Sequence, residues 1–402
     1  MKQTLGGTKS RWVIIVVAMV MSLTALFGAL AVIPAVSPAT GAQVADLIRS
    51  ALGPQPVADI ESVSFQIQDT INQFWAKQDG GKLQIALNQS NVHLPAPKVS
   101  IIHQVASVAP IPAPSNPVPQ KVAVPVLDNA VTALPQIGWQ AYGPLVNGQP
   151  VMAQTLLTLD PTRPYAGIAL VRIDLSQMQL HMMPGFLEPS HSAAVQHTFP
   201  NLGITPASDQ SRLVAAFNGG FKAINGQYGM MVNGVTLLPP VPGIATIALY
   251  SNGQVRIGAW GQDILPTPDV VAYRQNCPLI LQNDQLNPEV SVDNRMVWGQ
   301  TIGNQEITWR TGLGITQDGR YLIYAVGNAT TVQTLAQALQ QAGAYNAMQL
   351  DINRHYAHFV TYQSTGKVSP SLTAVQLLSQ MESDPTIYLV PHSRDYFYLT
   401  TP

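Results

Sequence analysis

The sequence predicts an α+β fold: a mostly antiparallel mixed sheet with one or two packed helices, preceded by an N-terminal transmembrane helix and a Pro-rich linker. Three observations predict it. Short apolar, β-branched runs recur between Asn-Gly, Asp-Gly and Gly-Gly pairs, the punctuation of hairpins rather than of alternating strands and helices. One segment, Thr331–Gln341, carries apolar residues at helical spacing instead. The first apolar run, Trp12–Ile33, is 22 residues long and contains no charge.

That first run would extend about 33 Å as a helix, enough for the hydrocarbon core of a bilayer. Lys2, Lys9 and Arg11 precede it, and the first acidic residue is Asp46. The positive-inside rule leaves residues 1–11 in the cytoplasm, 12–33 as the anchor, and the rest of the chain extracytoplasmic on a single-pass membrane protein. A cleaved signal peptide ending near Ala29-Leu30-Ala31 is the competing reading, for which the apolar region is long. Residues 34–94 form a small juxtamembrane segment, with mild helical spacing in Gln43–Leu52 and Val63–Trp75 and strand-like alternation in Lys82–Leu87. Residues 95–150 are a Pro-rich linker by composition, with Pro110, Pro112, Pro114, Pro117 and Pro119 favouring extended polyproline II; a docking ligand is the alternative.

Residues 151–402 make the main domain. Ala166–Leu175 and Met178–Met183 read as a hairpin, and Leu213–Phe217 as a buried strand ending in Asn218-Gly219-Gly220-Phe221. Two glycines there allow a close approach of backbone to a ligand. A weaker helix is expected at His191–Phe199. Ala245–Tyr250 and Val255–Trp260 flank Asn252-Gly253 as a second hairpin. Pro278–Gln282 is a buried strand beside Cys277, the only cysteine, read as an inert buried thiol. Ile307–Ile315 and Tyr321–Val326 flank Asp318-Gly319. The helix that follows has Asn328 or Thr330 to cap it and Gly343 to end it. A strand over Ala347–Asp351 then turns Gln349 and Asp351 to one face and Met348 and Leu350 to the other. In the tail, Leu372–Met381 reads as a helix, and Ile387–Val390 and Tyr396–Thr400 as strands.

Charge and motifs exclude several classes. The net charge of -1 offers nothing to nucleic acid, and charged residues are only 10% of the chain. There is no P-loop, no Gly-x-Ser-x-Gly elbow and no zinc spacing, so neither a cofactor nor a metal is expected. His355 and His358 would face opposite sides of a strand. Asn218, Arg310 and Asp351 remain as candidate catalytic residues. Each also has a plain structural role available: a turn cap for Asn218 and Asp351, a pair with Glu306 for Arg310.

The combination of Asn218-Gly219-Gly220-Phe221, Arg310-Thr311-Gly312-Leu313-Gly314 and Leu350-Asp351, in that order, resembles the phosphodiester glycosidase family over roughly Gln154 to Tyr362. The resemblance implies hydrolysis of sugar-1-phosphodiesters. It places Arg310 on phosphate, Asp351 at the anomeric carbon as nucleophile or base, and Asn218 with Gly219, Gly220 and Phe221 around the substrate. Arg forms a bidentate fork for phosphate, and a carboxylate suits the anomeric centre. The family's Gly-Gly-Gly-Ser after the Asp is here Ile352-Asn353-Arg354-His355, so either the turn is rebuilt or the sugar pocket differs. Arg354 and His355 then either add positive charge at the substrate site, for a more anionic glycan, or block the pocket. The expected protein is a membrane-anchored hydrolase of glycan phosphodiesters in the cell envelope or exopolysaccharide. The alternative is a catalytically altered relative that binds envelope glycans or serves assembly.

Overall fold

The turn-punctuated runs fold into three sheets in which every ladder is antiparallel, seen in a computed structural model that describes residues 69–74, 76–77, 82–88, 137–189, 203–291, 295–299, 307–365 and 371–402. The expected anchor, most of the linker and the expected helix at His191–Phe199 lie outside these residues. Among the described residues no helix is long and apolar enough to cross a membrane.

The large sheet has eight strands: β1 (Gln140–Val146), β2 (Gln149–Leu157), β3 (Ile168–Asp174), β14 (Tyr321–Thr330), β13 (Thr308–Ile315), β15 (Asn346–Gln349), β11 (Leu279–Gln282) and β12 (Gln285–Leu286), in that spatial order. A second sheet runs β7 (Val235–Leu238), β6 (Met230–Val232), β10 (Val270–Gln275), β8 (Ala245–Tyr250) and β9 (Val255–Ala259). The third runs β17 (Ser371–Gln376), β16 (Phe359–Thr365), β5 (Leu213–Asn218), β18 (Tyr396–Thr400) and β4 (Gln179–Met183). All three contribute to one core, which joins Leu313 and Tyr324 of the large sheet to Ile247 and Ala272 of the second and Phe217 and Phe359 of the third. Phe217 stacks on Phe359 and Phe397 with ring centroids 5.7 and 5.3 Å apart.

The helix Val332–Gln341 lies on the other face of the large sheet. It buries Val332, Leu335, Ala336, Ala338 and Leu339, the predicted apolar face. Two glycines of β13 let it sit close: a Cβ at Gly312 would lie 3.2 Å from Leu335 and Leu339, and one at Gly314 2.5 Å from Ala344. The cap is Thr331, whose hydroxyl accepts from Thr334 N at 3.1 Å while the Thr334 hydroxyl accepts from Thr331 N at 3.0 Å. Asn328 and Thr330, the two expected caps, both lie within β14, where Thr330 is the last residue and pairs with Thr308. Gly343 follows at φ 91°, as expected.

Other expectations change. β3 and β4 do not form a hairpin, because both edges of β3 are taken by β2 and β14, and β4 pairs with β18. Residues 371–376 are strand rather than helix, since they cover the edge of β16 in register from Thr365↔Ser371 to Val360↔Gln376. Ile387–Leu389 is a short 3-10 turn, set between Pro385 and Pro391 and entered through an Asp384 carboxylate that accepts Thr386 N at 2.7 Å. The sheet begins at Gln140, within the compositional linker. Part of the juxtamembrane segment also packs on the domain: Ile85 enters the core, and the Asp69 carboxylate accepts from Arg163 Nε at 3.1 Å and Tyr165 OH at 2.6 Å.

Candidate active site

The candidate site forms where β5, β15 and the chain entering β18 end together. β5 delivers Asn218 and the glycine turn; the chain after β15 delivers Asp351; the approach to β18 delivers Arg394 and Asp395. Backbone bonds lock the three: Gly219 N donates to Asp395 O at 3.0 Å and Asp351 N to Gly219 O at 3.1 Å.

Asp351 is buried, and both its oxygens are engaged. Oδ1 accepts from Asn353 N at 2.9 Å, and Oδ2 accepts from Arg394 Nη2. The same Nη2 donates to Gly220 O at 2.9 Å. The Arg394 guanidinium lies over the Tyr356 ring, 4.6 Å from its centroid. Burial opposes its charge, but the carboxylates of Asp351 and Asp395 outweigh burial and raise its pKa. Its Nε is buried with no hydrogen-bond partner among the described residues. An unpaired donor of this kind costs roughly 1–3 kcal/mol.

The glycines are required by a second buried pair. Arg274 donates through Nε to Asp395 Oδ2 at 2.8 Å and through Nη2 to Oδ1 at 3.2 Å. A Cβ at Gly219 would fall 2.0 Å from Asp395 Oδ2, and one at Gly220 2.9 Å from Arg274 Cζ. Gly220 N donates to Asp395 Oδ2 at 3.1 Å, and Phe221 O accepts from Arg274 Nη2 at 2.6 Å. The turn is therefore moulded on an ion pair.

Asn218 ties the sheets together. Its Nδ2 donates to Thr311 Oγ1 at 2.9 Å and Gly219 O at 3.1 Å; its Oδ1 accepts from Tyr324 OH at 2.9 Å and His358 N at 3.3 Å. Thr311 Oγ1 in turn donates to Asp351 O at 2.6 Å. Arg310 is buried on the helix side of β13. It donates to Gln349 Oε1 at 2.6 Å, Trp298 O at 3.2 Å and Thr330 O at 3.2 Å. The guanidinium on the Asp351 carboxylate is thus that of Arg394. Arg310 reaches Gln349, two residues earlier in the chain.

The glycine-free turn after Asp351 is rebuilt with ordinary backbone angles; no residue from 352 to 357 has positive φ. Besides the Asp351–Asn353 bond, Asn353 Oδ1 accepts from His355 N at 3.0 Å, and Asn353 O accepts from Tyr356 N and Ala357 N. Arg354 and His355 both point to Glu382. Cys277 is buried, and its sulfur accepts from Asn276 Nδ2 and Gln349 Nε2, each at 3.7 Å. A groove of about 780 Å³ runs along β4 between His181, Met183, Tyr250 and Asn252, and none of the sequence-predicted site residues lines it. Arg394, Asp395 and Arg274 escaped the sequence reading. The available signal was the adjacent Arg394-Asp395 charges directly before an uncharged aromatic strand.

Residues 211–351 match the family model for phosphodiester glycosidase, so the family suggested by the motifs is the one matched. The matched span contains Asn218–Phe221, Arg310 and Asp351; Arg354, His355 and Arg394 follow it. Two solved structures are similar. One is the zebrafish N-acetylglucosamine-1-phosphodiester alpha-N-acetylglucosaminidase catalytic domain auto-inhibited by pro-peptide (16% identity, 66% of this chain, 87% of that chain, TM-score 0.42). The other is a hypothetical protein from Synechocystis (12% identity, 64% of this chain, 63% of that chain, TM-score 0.38). No curated protein matches the sequence.

Proposed function

We propose that this protein hydrolyses glycan sugar-1-phosphodiesters outside the cytoplasm, held at the membrane by residues 12–33 and acting on cell-envelope or exopolysaccharide material. The observation that carries the reaction is Arg394. It touches the Asp351 carboxylate with Nη2 and keeps Nε buried without a partner among the described residues. A phosphate oxygen taken up at Nε draws the guanidinium toward the substrate and loosens its hold on Asp351. The carboxylate then acts at C1, as nucleophile or as base on water. The C1–O bond breaks, the electron pair leaves with the phosphomonoester, and water supplies the hydroxyl on C1. Arg310 supports the site from behind by holding Gln349, while Gly219, Gly220 and Phe221 wall the substrate and Asn218 fixes the strand end. The anchor rests on the uncharged run and the basic residues before it.

The test is turnover of an α-linked N-acetylglucosamine-1-phosphodiester by the full chain, beside Asp351→Asn and Arg394→Lys, with circular dichroism to verify folding. Both variants should fall at least about 100-fold if the pair supplies the transition-state charge. Wild-type turnover in folded Asp351→Asn would refute the assignment. The second reading is a glycan-binding relative without turnover. It is favoured by Asn218 and Asp351 being fully engaged within the protein, and it is met if the wild-type chain binds the diester and leaves it intact.

A further inference from the structure

Arg394 is 4% exposed, and its guanidinium is held at one edge and on one face. At the edge, Nη2 donates to the Asp351 carboxylate and to Gly220 O, the latter at 2.9 Å. On the face lies the Tyr356 ring, its centroid 4.6 Å from Cζ. That ring is fixed from two sides. Tyr356 N donates to Asn353 O at 2.8 Å, within the turn that stands where the family has glycines. The ring also meets that of His392 edge to face, with centroids 6.0 Å apart. His392 returns to the same arginine, its Nδ1 lying 2.8 Å from Arg394 O. Tyr356, His392 and Arg394 thus make a closed loop of contacts beside Asp351, and the rebuilt turn supplies its aromatic member.

From this arrangement we infer that Tyr356 is a positioning residue, which keeps the Arg394 guanidinium aimed at the substrate phosphate. The inference rests on the reading of Arg394 as the phosphate contact. An aromatic face attracts a cation over an area and does not tie down any one nitrogen. The guanidinium can therefore shift across the ring as phosphate draws it from Asp351, without giving up the attraction. A carboxylate in the same place would bind one edge of the fork and oppose that shift. An aliphatic side chain would fill the volume but leave a desolvated charge without the negative face of a ring. A flat, weakly hydrated guanidinium is the cation that suits such a face.

The experiment titrates the full chain with two probes, inorganic phosphate and a non-hydrolysable methyl C1-phosphonate ester of N-acetylglucosamine. It compares the wild type with Tyr356→Phe and Tyr356→Leu, with the urea midpoint of each. Tyr356→Leu keeps the bulk and should bind both probes about tenfold more weakly, the worth of a desolvated cation–π contact, at an unchanged midpoint. Tyr356→Phe restores the face and should restore both affinities to within about twofold. Wild-type affinities in Tyr356→Leu overturn the inference. So does a loss confined to the ester, which would place Tyr356 on the sugar, and so does an equal loss in both variants, which would trace the effect to the hydroxyl. A wild type that binds neither probe overturns it together with the phosphate contact. Turnover of the methyl diester is measured separately: binding without turnover refutes the hydrolase reading alone, and the two titrations then decide on Tyr356.

Discussion

Arg394 shares one Nη2 between the Asp351 carboxylate and the Gly220 carbonyl, so a single side chain bridges two of the three segments in which the family motifs lie. The next residue, Asp395, repeats the arrangement with opposite charge. It holds Arg274 through both carboxylate oxygens and accepts Gly220 N. Two adjacent residues directly before β18 therefore set the shape of the glycine turn.

Removing one member of the inner pair should be costly. Arg274→Ala leaves the Asp395 carboxylate buried and strips donors from Phe221 O, Tyr228 O and Gln275 O. Breaking such a buried pair costs roughly 3–5 kcal/mol. Urea denaturation should register the loss as a lower midpoint, and an unchanged midpoint would mean that the pair does not hold the turn.

The two glycines can be tested against one in open space. Gly219→Ala places a methyl 2.0 Å from Asp395 Oδ2, a contact that only backbone movement or a broken ion pair relieves. The expected destabilisation is about 3 kcal/mol, at the upper end for overpacking. Gly138→Ala meets nothing within 4 Å and should change stability by less than about 0.5 kcal/mol. Similar melting of the two variants would contradict this picture.

Acid should weaken the fold through two histidines. Burial, with a smaller contribution from His392, lowers His358 to about 3. Burial, with the charge of Arg394 opposing protonation, lowers His392 to about 4 although its bond to the Arg394 carbonyl works the other way. The groups facing His392 are the rings of Tyr356, Tyr388 and Tyr396, along with Arg394 and Asp395. Both values lie below the roughly 6.5 of an exposed imidazole, so the unfolded chain takes up protons first as pH falls. Nothing is lost above about pH 6.5. Between there and about pH 4 for His392, and about pH 3 for His358, stability declines, by at most about 2 kcal/mol per histidine at pH 5. Denaturation midpoints at pH 7.5 and 5 measure the slope, and His392→Asn should flatten it.

Thr331→Ala removes the half of the cap in which the Thr331 hydroxyl accepts Thr334 N at the start of the helix Val332–Gln341, and leaves the half in which the Thr334 hydroxyl accepts the backbone N–H of residue 331. A loss of about 1 kcal/mol is expected. Thr330→Ala should leave the helix start intact, because Thr330 is not its cap. Equal losses in helical signal and stability for the two would place the cap elsewhere.

What the sequence disclosed was local. Asp318-Gly319 and Asn252-Gly253 specify their hairpins within a few residues, and the apolar face of the helix follows from its spacing. What it withheld was long-range pairing. β18 lies between β4 and β5, about two hundred residues away in the chain, and no short pattern encodes that Thr400 sits opposite Gln179. The same gap hid Arg394. A motif can mark Asp351 as unusual, but the cation that reaches it arrives on a strand whose position depends on the closure of the third sheet. Arg310 was visible because it lies inside a motif, and its bond to Gln349 explains why that position is filled by a guanidinium: the amide oxygen and two backbone carbonyls there all require donors.

The turn from Asp351 to Ala357 is pinned by the Asp351 and Asn353 side chains rather than by bare glycine backbone. Its intermediate positions, 352, 354 and 355, therefore project side chains where a glycine run would project none. Ile352 already uses that freedom, coming within 2.7 Å of where a Cβ would stand on Gly299. Descendants of this chain can remodel the surroundings of the carboxylate by single replacements at three positions, without rebuilding the loop that carries it.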